Sequence, residues 1–193
     1  MEPLRPLLAR GGVLAIPTES SYGLGADPRN RTGVETVYRI KGRGTDKALP
    51  VVVADRGQLA DLGIDPDLPI LEPLSACWPG PLTVVLPLAA GAGTLAVRVP
   101  GHEGLRRLLA ALGHGLTATS ANRSGGEPIL DPEDLPALLA GEDAVIVDGG
   151  ILPGGAPSTL VAIESGTPVV LRAGSFPVER LRAACRIRSQ HQE

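Results

Sequence analysis

The sequence predicts an α/β fold with a mixed sheet, and not a purely parallel doubly wound sheet. Strand-like apolar runs alternate with helical periodicities early in the chain and then cluster late, which points to a mixed sheet. The 25 glycines and 19 prolines are spread along all 193 residues, so elements are short and turns frequent. Aromatic residues make up only 2% of the chain, which leaves the core to Leu, Val, Ile and Ala.

The elements follow in order. PLRPLLAR (3–10) predicts a first helix and GVLAIPT (12–18) a buried strand ending at Pro17. In TGVETVYRIK (32–41), apolar Val34, Val37, Tyr38 and Ile40 recur at helical spacing, with Thr32 as N-cap. ALPVVVAD (48–55) predicts a strand and PILEPLSACW (69–78) a helix, despite its prolines. LTVVLPL (82–88) and LAVRVP (95–100) are strands, the second interrupted by charged Arg98. EGLRRLLAAL (103–112) is an amphipathic helix, and GLTATSAN (115–122) is a strand running into a loop. PEDLPALLAG (132–141) is a short helix opened by proline. AVIVDGG (144–150), STLVAI (158–163) and PVVLRAG (168–174) are strands, and PVERLRAAC (177–185) is a final helix.

Length and composition suit one globular domain over residues 1–193, with no separate C-terminal domain expected. Net charge of −3 argues against general coating of nucleic acid, and the scarcity of aromatics argues against a base-stacking platform. The uncharged stretch 73–97 is broken by Pro73, Pro79, Gly80, Pro81, Pro87, Gly91 and Gly93, so it is not a membrane span. The N-terminus lacks a secretory pattern, and a cytoplasmic, soluble protein is expected. Cys77 and Cys185 form no metal-ligand spacing, and Cys77 is expected to be a buried, reduced thiol.

Four stretches could carry chemistry. RIKGRGTDK (39–47) sets Arg39, Lys41, Arg43 and Lys47 against one acid, Asp46. If the backbone is extended there, Lys41 and Arg43 share a side and match a di- or triphosphate, although no P-loop pattern is present. A solvated loop after a helix end accounts for the same charges about equally well. PTESSYGLG (17–25) follows a strand end with hydroxyls, the carboxylate of Glu19 and permissive glycines. TATSANRSGGEP (117–128) offers Ser120 and Asn122 at i and i+2. Taken alone, each reads first as a plain turn in which Ser, Thr and Asn bond nearby backbone. Arg98 inside an apolar strand must snorkel outward or meet a carboxylate, from the protein or from a ligand. No Cys/His nucleophile pair, His/Asp metal cluster or GxSxG is present. An enzyme built from these parts works by positioning and charge stabilisation, without a covalent intermediate.

The order of PTESSYGLGA, KGRGTDKALPVVV, WPGPLTVVLP, LAVRVPGH, TSANRSGGEP, PSTLV and LRAG resembles the YrdC family from about Gly11 to Arg172. The resemblance implies a YrdC-like fold of the α+β-like kind, a twisted, mostly antiparallel or mixed sheet flanked by helices, with a concave basic cleft. It also implies L-threonylcarbamoyladenylate synthase activity, in which L-threonine, bicarbonate and ATP give threonylcarbamoyl-AMP and pyrophosphate. The product would feed threonylcarbamoyladenosine modification of tRNA, with tRNA and the downstream transferase complex as partners, and no membrane or DNA. Carried over by motif, Lys41, Arg43, Ser120 and Asn122 form a catalytic tetrad around the nucleotide phosphates. Lys47, Thr94 and Arg172 join them in ATP binding, while Ser20, Arg98 and Ser158 surround threonine. Mg²⁺ would be held mainly by the ATP phosphates and not by a protein metal site. The chain departs from the family pattern at Ser20–Ser21, Gly44, Val52 and Ala118. Two other functions fit the same fold. One is a non-catalytic RNA-binding or ribosome-associated module, whose affinity would fall steeply with salt. The other is a carbamoyl phosphate-dependent adenylating enzyme.

Overall fold

The computed structural model describes residues 4–45, 47–164 and 167–189. Asp46 and His191, and the first residue of the helix expected from Pro3, lie outside them. The elements are α1 (Leu4–Ala9), β1 (Val13–Pro17), β2 (Tyr22–Gly25), α2 (Arg31–Lys41), β3 (Val51–Val52), α3 (Leu71–Leu74), β4 (Leu82–Pro87) and β5 (Thr94–Arg98). They continue with α4 (Glu103–Leu112), β6 (Leu116–Thr117), β7 (Thr119–Ser120), α5 (Leu135–Leu139), β8 (Ala144–Ile146), β9 (Thr159–Glu164), β10 (Thr167–Arg172) and α6 (Val178–Ser189).

The expected mixed character is present, but it is divided between two sheets. Four strands pair in the order β7-β2-β1-β8 and six in the order β10-β9-β4-β5-β3-β6. Each sheet contains parallel and antiparallel neighbours. The strand expected over 115–122 is where the sheets meet. Leu116–Thr117 pair with β3 in the larger sheet, and two residues later Thr119–Ser120 pair with β2 in the smaller. Thr117 stitches the seam, its N–H donating to the Ala26 carbonyl at 2.8 Å and its hydroxyl accepting from the Ala26 N–H at 2.9 Å. Gly23 and Gly25 make the approach possible, since a Cβ on either would stand 3.3 or 3.2 Å from the carbonyls of Thr119 and Thr117.

Burial follows strand periodicity. β1 is apolar and buried on both faces: Val13 and Ala15 face α2 and α5, while Leu14 and Ile16 face α1 and α4. A third cluster fills the space between the larger sheet and α3 and α6, through Val84, Val97, Val161, Leu74, Phe176 and Leu181. Cys77 is buried there as expected, and burial raises its thiol pKa.

Several local expectations give way to tertiary context. PTESSYGLG is not all loop: Tyr22–Gly25 turn back as a strand antiparallel to β1. Helix α2 is capped by Asn30 and not by Thr32, with the Asn30 carboxamide oxygen accepting from the Gly33 N–H at 3.1 Å. The 48–55 strand shortens to Val51–Val52, and the 69–78 helix to Leu71–Leu74, as its prolines withhold backbone donors. Helix α4 spans the predicted residues, from Glu103 to Leu112.

Candidate functional site

Lys41 is the last residue of α2, and it is held inside the protein. Gly42 adopts the left-handed conformation at φ 64°, ends the helix and turns the chain. The backbone over 41–43 is therefore a helix cap, so the condition of an extended segment, under which Lys41 and Arg43 would share a side, is not met. The Arg43 guanidinium folds back to lie 5.7 Å from the centre of the Tyr38 ring. The turn is fastened to the 120–126 loop: the Ser124 N–H donates to the Lys41 carbonyl at 2.8 Å, and Arg123 donates to the Ile40 carbonyl at 2.8 Å.

Only 3% of Lys41 is exposed. Its ammonium donates to Asn122 Oδ1 at 2.6 Å, to the Ser120 carbonyl at 2.8 Å and, more distantly, to Ser120 Oγ at 3.4 Å. All three acceptors are neutral, and no carboxylate among the described residues bonds the ammonium. Burial, with the positive charge of Arg43 nearby, lowers the lysine pKa to about 8. An ammonium so placed gains from any anion that enters, and the long 3.4 Å contact identifies the proton most readily redirected to one. Asn122 is set by its own amide, which donates to the Gly126 and Arg123 carbonyls at 2.6 and 2.9 Å. Ser120 Oγ donates to Asn122 Oδ1 at 2.6 Å.

These groups line a cavity of about 360 Å³ with Arg43, Lys47, Thr119, Ser124, Gly125 and Arg172. Among the described residues its lining carries four cations and no carboxylate. Arg43 Nε is buried without a hydrogen-bond partner among the described residues. The lining side chains suit phosphate oxygens. Among the described residues no group of three or more His, Cys, Asp and Glu could hold a metal ion.

A second cavity, of about 110 Å³, adjoins the first. Thr18, Ser20, Ser21, Arg98, Thr119, Ser120 and Ser158 supply its polar lining, and Tyr22, Val52, Leu105 and Ala118 an apolar side. It is well under the roughly 300 Å³ at which drug-sized pockets begin, and it mixes one cation with hydroxyls and methyl groups. That combination suits a small molecule with a carboxylate, a hydroxyl and an aliphatic carbon. The 18–21 turn does bond itself as a plain turn would, Thr18 Oγ1 donating to the Ser21 carbonyl at 2.7 Å. It lines the cavity all the same.

Thr119 and Ser120 line both cavities, so the two spaces meet at the sheet seam. Arg172 joins them from the other side. It lines the cationic cavity and donates to the Ser158 carbonyl at 2.9 Å, and Ser158 Oγ lies 2.8 Å from Thr83 Oγ1. Nine of the ten residues singled out from the sequence thus meet in one composite cleft. Thr94 does not: it opens β5 opposite Pro87, four residues from Arg98, and lines neither cavity. An extended strand puts it roughly 13 Å from Arg98. Sequence reasoning gave no role to Thr119 or to Glu19. Thr119 was hidden because a chain that changes sheets also changes which face it presents. Glu19 could have been found, as the one carboxylate in the 17–25 loop, by asking what neutralises Arg98.

The chain matches the profile of the Sua5/YciO/YrdC family, described as "Telomere recombination", over residues 6–174. The chain belongs to this family. It is 38% identical over 183 residues to the threonylcarbamoyl-AMP synthase of Thiobacillus denitrificans, covering 88% of this chain and 93% of that protein. It is 37% identical over 186 residues to the threonylcarbamoyl-AMP synthase of Bacillus subtilis, covering 92% of this chain and 54% of that one. The crystal structure of P. abyssi Sua5 complexed with L-threonine superposes with a TM-score of 0.81 at 31% identity, over 94% of this chain and 56% of that one. The chain thus spans about half the length of the Bacillus and P. abyssi relatives. The YrdC-like fold expected from the motifs is the fold observed. No helix among the described residues is long and apolar enough to cross a membrane.

Proposed function

We propose that this member of the family is an L-threonylcarbamoyladenylate synthase, a nucleotidyltransferase making threonylcarbamoyl-AMP and pyrophosphate from L-threonine, bicarbonate and ATP. The observation that carries the reading is the adjacency of an amino-acid-sized cavity containing Arg98 to a cavity lined by the cations Lys41, Arg43, Lys47 and Arg172, with Ser120 in the wall of both. A synthase of this type must bring an amino acid and a triphosphate to one point, and two unrelated ligand sites would have no reason to share a wall. The relatives named as threonylcarbamoyl-AMP synthases, and the threonine-bound structural neighbour, support the choice of substrates.

In this reading Arg98 receives the threonine carboxylate, and Ser20 and Ser158 offer partners to its hydroxyl and amine. The threonine nitrogen adds to the carbon of bicarbonate, and water leaves to give a carbamate. A carbamate oxygen then bonds to the α-phosphorus of ATP. The bond from that phosphorus to the β-bridging oxygen breaks, and its electron pair departs with pyrophosphate. Negative charge on the transferring phosphoryl group is met by Lys41 and Arg43, with Ser120 and Asn122 holding the Lys41 ammonium in place. Lys47 and Arg172 hold the outer phosphates. Mg²⁺, bound by the phosphates themselves, would supply further charge neutralisation. The product is a mixed anhydride suited to modification of adenosine in tRNA in the cytoplasm, so tRNA and the downstream threonylcarbamoyl transferase machinery are the partners this assignment calls for.

The test is pyrophosphate release from ATP with threonine and bicarbonate each omitted in turn. Release that requires both supports the proposal. Release independent of threonine, or none with all three present, defeats it.

A further inference from the structure

Arg98 is only 14% exposed in its side chain, and its charge is neutralised from within the chain by Glu19. The Glu19 carboxylate accepts from the Arg98 guanidinium through one oxygen and from the Gly101 N–H through the other. Glu19 itself is not part of the cavity lining, whereas Arg98 and the next residue, Ser20, are. One carboxylate therefore stands behind the cation and ties together three segments: the loop after β1, the end of β5 and the turn entering α4. Burial alone would raise the Glu19 carboxyl pKa. The Arg98 charge and the hydrogen bonds from Arg98 and from backbone N–H groups outweigh this and lower it, so the group is ionised at neutral pH. Arg98 Nε is buried and unpartnered, so Glu19 is the only protein group that orients the guanidinium among the described contacts.

We propose that Glu19 is a positioning residue for the amino-acid site, its carboxylate clamping Arg98 and Gly101 so that the guanidinium presents its remaining donors to an incoming carboxylate. This rests on the reading above, in which Arg98 receives the carboxylate of threonine. Glu19 touches no reacting atom. Its loss frees a long flexible cation to adopt other rotamers and detaches the Ser20 loop from the α4 turn. Glutamine is a poor substitute despite its shape. It offers one acceptor where two donors converge, and it aims an N–H at either Arg98 or Gly101.

The test is steady-state pyrophosphate release by Glu19→Ala, Glu19→Gln, Glu19→Asp and Arg98→Ala, titrating threonine at saturating ATP and ATP at saturating threonine. Glu19→Ala and Glu19→Gln should raise the KM for threonine about tenfold, with kcat and the KM for ATP within about twofold. Glu19→Asp, which keeps a carboxylate, should recover part of the loss. Gly101→Ala gives a second route, because its Cβ would stand 3.1 Å from the Glu19 carboxylate oxygen and push the clamp from the opposite side. It should raise the threonine KM in the same direction, and it decides the matter if a Glu19 variant does not fold. An unchanged threonine KM in the folded variants overturns the proposal. A lowered one overturns it too, since Glu19 would then be competing with substrate for Arg98. If Arg98→Ala raises the threonine KM while the Glu19 and Gly101 variants leave it alone, positioning fails and the functional reading stands. If Arg98→Ala itself leaves it unchanged, the underlying reading fails.

Discussion

Lys41 Nζ lies 2.6 Å from Asn122 Oδ1, across 81 positions of sequence, and the ammonium has no carboxylate in contact among the described residues. A buried charge satisfied only by neutral oxygens is stable enough to fold but is better matched by an anion. Lys41→Ala should therefore lower pyrophosphate release by about a hundredfold or more, the scale seen when one preorganised donor to a developing charge is removed. Circular dichroism and the melting temperature should stay close to those of the parent protein. Near-normal turnover by the folded variant would remove Lys41 from the chemistry.

The same lysine gives a pH signature. Its pKa in the folded, ligand-free protein is about 8, lowered from 10.5 by burial and by Arg43. As pH rises through about 8 the ammonium is lost, and kcat/KM for ATP should fall along an alkaline limb set by that group. Stability should move the other way. Between about 8 and 10.5 the unfolded chain binds more protons at this site than the folded one, so the lysine contributes increasing stability as pH rises. Lys41→Met should melt higher than the parent protein near neutral pH, and the gap should close toward pH 10. A gap independent of pH would show that the site carries no strained charge.

Arg172 should affect both substrates. It stands in the cationic cavity and fixes Ser158 of the amino-acid cavity through the 2.9 Å bond to its carbonyl. Arg172→Ala should raise the KM for ATP and for threonine together, each several-fold, whereas Lys47→Ala should raise only that for ATP. Two-substrate kinetics separate these outcomes, and an effect of Arg172→Ala confined to one substrate would break the proposed connection.

Tyr22→Phe should destabilise without touching the phosphate groups. The fully buried tyrosine hydroxyl donates to the Gly150 carbonyl at 2.9 Å and accepts from the Gly149 N–H at 2.9 Å. It anchors the loop whose Gly154 N–H bonds the Ser20 carbonyl at 2.9 Å. Loss of both bonds should cost about 1–2 kcal/mol, or a melting temperature lower by about 3–6 °C in a chain of this size. Calorimetry checks the value, and an unshifted transition would mean that solvent replaces both partners.

What the sequence determined alone is the local and the compositional. The apolar run of β1, the amphipathic α4 and the short-element α/β character are legible because helix and strand periodicities are properties of a few neighbouring residues. The motif residues were legible too, as residue types at fixed spacings. Tertiary structure decided how they meet. Lys41 reaches Asn122 because Gly42 takes a left-handed turn and because residues 116–120 leave one sheet for the other. It also decided that Arg98 is answered by Glu19 and that Thr94 stands outside the cleft. Those outcomes depend on which distant backbones approach within hydrogen-bonding distance, and local periodicity does not encode that pairing.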